Sequence, residues 1–249
     1  MKKLLISGIA ILFGFSVFAQ TALLKLNLEK DKVYRLRSVT EQTVSQTMNG
    51  NQQNTESNVT HTFTMKMMDV TPEFVIVEIH FDTIVTVTNA MGKNITISSL
   101  SEGNMKSSET SDVMSCIMNR LSKSAVYAKL DFSGKPLEII NEKMLSDMIL
   151  KDTSSITLTG PVGKTIKQQV ATVVSSDALK SMISNFTGLL PATQVKTGET
   201  WTVTQQANSG GMLLDVITNF HLDAINGDYA SVTAESSIKP SANAMPIQS

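Results

Sequence analysis

The chain has 249 residues, a formal net charge of −1, 41% hydrophobic and 17% charged residues, and only 5% aromatics. That composition is too apolar for a disordered chain and carries no collagen, coiled-coil or low-complexity bias. The near-zero charge leaves no electrostatic footprint for DNA or RNA, and the length allows one large domain or two small ones.

Lys2 and Lys3 precede an apolar run from Leu4 to Phe18, and Val17-Phe18-Ala19 supplies a small residue at the end. This is the charged, apolar, small-residue order of a secretory signal, with 1–19 removed. The run is about fifteen residues, short of the ~20 a helix needs to cross a bilayer. The only cysteine is Cys116. Lipidation after cleavage is therefore not expected, an internal disulfide is impossible, and an exported chain must draw its stability from its core. The expected address is the periplasm, the cell envelope or the exterior.

Residues 24–100 read as strands. Val33–Thr47 and Asn54–Val70 are rich in Thr, Val and Met and flank Met48-Asn49-Gly50, whose Asn-Gly is a strong hairpin signal. After the turn Thr71-Pro72-Glu73, Phe74–Thr88 alternates. Val75, Val77, Ile79, Phe81, Val85 and Val87 fall on one face, and Glu78, His80, Asp82 and Thr86 on the other, the antiparallel habit of one dry and one wet face. Asn94–Ser99 closes this region.

Residues 108–190 are mainly helical. Val113, Met114, Ile117, Met118 and Leu121 recur at helical spacing over Ser111–Lys123, capped by Thr110 or Ser111. Cys116 beside this stripe reads as a buried, inert thiol. Ala125–Phe132 and Leu137–Ile140 form a hairpin around Ser133-Gly134-Lys135-Pro136. Asn141–Leu150 is a short helix with Met144, Leu145, Met148 and Ile149 inward. Val162–Val174 and Asp177–Leu189 are two more helices, split at Ser175-Ser176. Gly160-Pro161-Val162-Gly163-Lys164-Thr165 has the flavour of a phosphate loop, but Leu158 occupies the position of its first glycine, so it reads as a plain helix start.

Residues 195–239 return to strands: Thr200–Gln206, Met212–Ile225 and Tyr229–Ile238, with a loose tail over 240–249. Lys30–Leu36 lines up with Lys196–Val203 after a one-residue shift, and Phe74 with Tyr229. This reads as a degenerate internal duplication with helices inserted between the copies, or as a chance likeness between two ordinary hairpins. The second copy lacks a counterpart of Asn94–Ser99: either the domain needs no closing strand or the chain is shorter than its relatives, and an unfilled sheet edge could accept a partner strand.

Val195-Lys196-Thr197-Gly198-Glu199-Thr200-Trp201 follows a helix ending in Leu189-Leu190-Pro191, and the signal ends Val17-Phe18-Ala19-Gln20. In these features the chain resembles an uncharacterised family of exported Bacteroidetes proteins, a domain of unknown function. The resemblance implies a cell-envelope address and further strands beyond those present here, and supplies no activity or ligand. The element order is similar, at fold level, to lipid carriers of the lipoprotein-localisation type. Asp82-Thr83-Ile84 resembles the O-glycosylation signal of Bacteroidetes envelopes, although alternation puts Thr83 on the apolar face.

The expected fold is α+β, with curved antiparallel sheet around a helical middle in one domain over 20–249. Fourteen methionines are many for this length. Met65, Met67, Met114, Met118, Met144 and Met148 would line a cavity for an apolar guest such as lipid, flexible thioethers suiting varied ligands, or simply fill the core. Glu78, His80 and Asp82 are the residues a His-carboxylate metal site would use, though a solvated strand face explains them as well. No cofactor and no catalytic residue is expected. Two functions follow: a non-enzymatic binder of an apolar ligand, or a structural module that binds an envelope protein through a sheet edge.

Overall fold

The computed structural model describes residues 21–48, 51–90, 92–191, 193–209, 212–227 and 229–241. Residues 1–20, where a secretory signal is expected, Asn49 and Gly50 of the expected turn, and residues 242–249 lie outside these residues. The chain divides into two compact units, one made of Lys25–Leu190 and the other of Met1–Leu24 with Pro191–Ser249. The fold is α+β with mostly antiparallel, open sheet.

In the Lys25–Leu190 unit, β2 (Val33–Met48), β3 (Asn51–Val70), β4 (Val75–Ala90), β6 (Ala125–Leu130) and β7 (Pro136–Ile139) lie side by side in that order. A further strand, β5 (Lys93–Ser98), pairs with the far half of β4. The near half of β4, Val75–His80, pairs with β6. Four helices, α1 (Thr110–Ser122), α2 (Glu142–Ile149), α3 (Gly160–Val173) and α4 (Ser176–Thr187), supply the rest of this unit's core. Period-2 apolar residues of the strands meet period-3.6 stripes of the helices. Phe63, Met65, Val75, Val77, Ile79 and Phe81 join Val113, Ile117, Leu121, Leu145, Ile149, Leu179 and Ile183 in one cluster. Each such side chain contributes about 1.5–3 kcal/mol by leaving water.

Polar ties fix the helices on the sheet. The Asn119 amide donates to the Ser99 carbonyl at 2.7 Å, and the Ser98 amide donates to Ser115 Oγ at 3.0 Å, anchoring α1 to the end of β5. Arg120 Nη1 donates to the Ile149 carbonyl at 2.9 Å and to the Lys151 carbonyl, occupying acceptors that the end of α2 leaves open. Thr187 Oγ1 donates to the Gly134 carbonyl at 2.6 Å. Gly134 has φ +86°, and a Cβ there would lie 2.0 Å from the Thr187 carbonyl oxygen, so only glycine allows α4 to end against this hairpin. Glu109 occupies the cap position of α1, with Thr110 already in the helix. Ser175 caps α4, accepting from the Ala178 amide at 3.3 Å.

Two expected orientations are corrected. A bulge lies opposite Thr62–Thr64, where β4 inserts an extra residue at Phe81-Asp82. The bulge reverses the alternation, as one added residue must. Ile84, Thr86 and Thr88 therefore continue the helix-facing row, while Val85 and Val87 join Glu78 and His80 on the opposite face. The same reversal takes Thr83 off the helix-facing row and pairs it with Thr62. The second correction concerns α2: Leu145 and Ile149 are buried, but Met144 and Met148 are 54% and 46% exposed. One position is 100° on a helix, and the single buried stripe of this eight-residue helix is too narrow for both pairs.

In the second unit, β1 (Thr21–Ala22) pairs antiparallel with β8 (Val195–Lys196). A separate antiparallel sheet has β10 (Met212–Asn226) between β9 (Thr200–Ser209) and β11 (Tyr229–Pro240). Trp201 stacks on Phe220 across β9 and β10, with ring centroids 5.2 Å apart and planes 14° from parallel.

The two meanders repeat each other strand by strand. In the first, the Lys32 amide bonds the Glu29 carbonyl and Asp31 has φ 64°. In the second, the Glu199 amide bonds the Lys196 carbonyl and Gly198 has φ 90°. Both turns release a strand whose second residue is aromatic: Tyr34 opposite Met65, Trp201 opposite Phe220. Both central strands then carry a bulge two residues further on, between Met67 and Asp69 and between Leu222 and Ala224. On the near side of the bulge Met67 faces Val77 as Leu222 faces Val232, and beyond it Val70 faces Val75 as Ile225 faces Ala230. Shared turn, pairing and bulge make these two copies of one three-stranded unit.

Candidate functional site

The six methionines do not converge on one cavity. Met65, Met67 and Met118 are buried in the core of the larger unit, and Met114 packs partly buried against it. Met144 and Met148 instead line, with Ile140, Asn141, Lys143 and Asp147, an open depression of about 650 Å³ on the surface of α2.

Glu78 and His80 meet on the sheet face away from the helices, His80 Nε2 lying 3.0 Å from Glu78 Oε1. Tyr127, brought alongside because β6 pairs with β4, donates its hydroxyl to Glu78 Oε2 at 3.1 Å. The His80 hydrogen bond first, then the Tyr127 one, hold the Glu78 carboxyl below its ordinary range, and the same bond pushes the Tyr127 phenol up. Asp82, displaced by the bulge, turns to Arg35, whose guanidinium lies at 3.8 Å from an Oδ2 that is screened from solvent and accepts no hydrogen bond. Among the described residues no group of three or more His, Cys, Asp or Glu is placed to hold a metal ion. Tyr127 and Arg35 escaped the sequence reading because their place depends on strand pairing across the chain, which no local pattern carries.

His61 lies on the helix-facing side of β3, its ring 6.1 Å from Phe186 of α4, and burial lowers its pKa. Cys116 is buried. On β10, His221 Nδ1 is 2.7 Å from Asp223 Oδ1, and Thr233 of β11 donates to Asp223 Oδ2 at 2.7 Å. The Thr233 bond, then the His221 bond, lower the Asp223 pKa. This group ties β11 to β10 at the bulge.

The outstanding surface is β11 itself. Every residue from Tyr229 to Lys239 is exposed. Its side toward β10 is paired, and none of the described strands pairs with its other side. Ala230, Val232, Ala234 and Ile238 alternate with Tyr229, Ser231, Thr233, Glu235, Ser237 and Lys239, so one face is largely apolar and the other polar. Its counterpart β4 is flanked by β3 on one side and by β5 and β6 on the other. Val77 is 0% exposed where Val232 is 40% exposed. An edge strand that is long and nearly uncharged is a template for another strand. The sequence leaves open whether this edge is filled, and no local pattern in it says that every residue of the strand is exposed.

Among helices of the described residues, none is long and apolar enough to cross a membrane. No curated protein and no solved structure matches the chain. The model of a family of unknown function, DUF6263, matches residues 72–249, from the turn before β4 onward, and the chain belongs to that family.

Proposed function

We propose that this chain is an exported, non-enzymatic interaction module that binds a protein partner by strand addition at β11. The observation that carries this reading is the contrast between β4, flanked on both sides and buried along its helix-facing row, and β11, its repeat, paired on one side among the described residues and exposed throughout. In strand addition the free backbone groups of the edge supply affinity and alternate side chains supply selectivity. In the polar cluster around Glu78, both carboxylate oxygens are engaged, by His80 and by Tyr127, which supports a structural role better than a catalytic one. Export rests on the charged and apolar order of 1–19.

The test is site-specific photo-crosslinking of the full chain in the cells that make it. A crosslinker at Ser231 or Ser237 should give a discrete protein adduct, abolished by Val232→Lys. Adducts formed equally well from Lys129, on the other sheet, and none from β11, would overturn the reading.

A second reading draws on the exposed Ile140, Met144 and Met148 around the depression on α2, which suit an apolar ligand such as a lipid. It predicts that a fluorescent fatty acid binds the purified protein and that Met144→Glu with Met148→Glu removes the signal. Equal binding by the variant would exclude this site.

A further inference from the structure

We infer that the strand added at β11 is β11 of a second copy of this chain, paired antiparallel about a twofold axis at Ala234. This rests on the strand-addition reading and names its partner. The register follows from the ends of the strand. Pairing cannot start before Tyr229, which opens the strand after its turn, and Pro240 has no N–H to donate at the other end. The longest symmetric ladder therefore spans Tyr229–Lys239, and its midpoint is Ala234.

That register also satisfies the side chains. Glu235 and Lys239 are the charged residues of the strand. About Ala234, Glu235 lies opposite Thr233 of the partner subunit, and Lys239 lies opposite Tyr229 of the partner subunit, where an ammonium can rest on a ring. No like charges face each other. A centre one residue later would set the two Glu235 carboxylates opposite one another, a destabilising arrangement. Val232 meets Ser236 of the partner subunit and Ala230 meets Ile238 of the partner subunit, so the apolar rows of the two strands stay on one face. That face continues the row of Trp201, Phe220, Val216 and Leu214 in each copy. Two open three-stranded sheets become one sheet of six, the strand number that the larger unit reaches within a single chain. In that unit β6 occupies Val75–His80, the stretch repeated as Ala230–Glu235, so the proposed contact fills the edge that the first copy fills internally.

The experiment is sedimentation velocity on the full chain across a dilution series, with cysteine trapping as the register test. The mass should double on concentration, and Ala234→Lys, which sets two ammonium groups face to face, should abolish the doubling without unfolding the monomer. Directly opposed residues of an antiparallel pair have Cα atoms about 4.5–5.5 Å apart, within the span of a disulfide. Ala234→Cys should therefore form a covalent dimer on mild oxidation. Ser237→Cys should not, because its own copy would lie six residues away, about 20 Å; the buried Cys116 does not compete. A chain that stays monomeric at every concentration overturns the inference. If that monomer binds a fluorescein-labelled peptide of the Tyr229–Pro240 sequence, and Ala234→Lys abolishes binding, strand addition stands and only the self-partner falls. A dimer that Ala234→Lys leaves intact, or equal trapping by both cysteine variants, overturns the register and the self-partner together.

Discussion

The strands β3–β4 and β10–β11 are built alike and live differently. Each pair follows a turn with a left-handed residue, Asp31 or Gly198, and each central strand bulges two residues past the partner of an aromatic. Around β4 the chain has added β5, β6 and four helices; around β11 the described residues add no neighbour beyond β10. Backbone pattern and burial are thus separable. The repeated turn and bulge come from local chemistry, whereas the dry interior comes from what the intervening segment, residues 99–190, folds over the first copy. The second copy keeps the apolar row, buries Phe220 and Leu222 of its central strand, and leaves Val232 and Ile238 of β11 exposed.

The comparison can be broken most sharply by placing the same charge at both repeats. Val77→Asp buries a carboxylate without a partner and should cost more than about 3 kcal/mol, enough to unfold the larger unit. Val232→Asp, at the repeated position, should change monomer stability by no more than about 0.5 kcal/mol. Urea titrations of both variants decide this, and equal losses would end the distinction between a covered and an open copy.

A similar contrast tests the corrected helix. Leu145→Ala should cost about 2–5 kcal/mol, as a buried leucine does. Met144→Ala, next to it but in solvent, should cost about 0.5 kcal/mol or less. A large loss at Met144 would place it in the core after all.

The two turns offer a smaller effect. Gly198→Ala forces a side chain into a positive φ and should cost about 1 kcal/mol, while the space around it is open, so the loss is conformational and not steric. Asp31→Gly relieves the same strain but removes the 3.1 Å ion pair to Lys66, and thermal melting should barely shift.

The smallest effect is the pH response of the larger unit. Burial lowers the pKa of His61, so the folded state holds fewer protons there than the unfolded state. Its contribution is complete above the ordinary value of 6.5 and is lost as pH falls from there toward the lowered value. Glu78, also lowered, adds a loss at more acid pH, below the ordinary carboxylate value. His61→Phe, which keeps a ring against Phe186, should flatten the denaturation midpoint just below pH 6.5 and leave the acid limb in place. An unchanged upper limb would mean that His61 is not the group responsible.

Much of this architecture was legible in the residues. The period-2 runs located every long strand, and the apolar stripes located all four helices of the middle segment, because both signals are local and the segments are long. The duplication was legible from Tyr34 and Trp201 after matching turns. What escaped was set by events of a single residue or by partners distant in the chain. The bulge at Phe81-Asp82 moved Val85, Val87 and Thr83 to the other face. The methionine spacing on α2 was read correctly as helical, but spacing alone does not say which of two adjacent stripes is buried. The Glu78–Tyr127 bond required knowing that β6 lies beside β4. For the candidate site, the alternation over Tyr229–Ile238 located the strand, but which side of it is paired depends on strand pairing that no local pattern carries.

Hydrogen exchange by NMR on the full chain tests the central claim, the openness of β11, most directly. In dilute solution every second amide between Ala230 and Glu235, the set facing away from β10, should exchange freely, while the repeated stretch Val75–His80 is protected at every amide. Raising the concentration should slow the free set alone. Uniform protection of Ala230–Glu235 at the highest dilution would show that this edge is already filled within one chain, and would contradict the account.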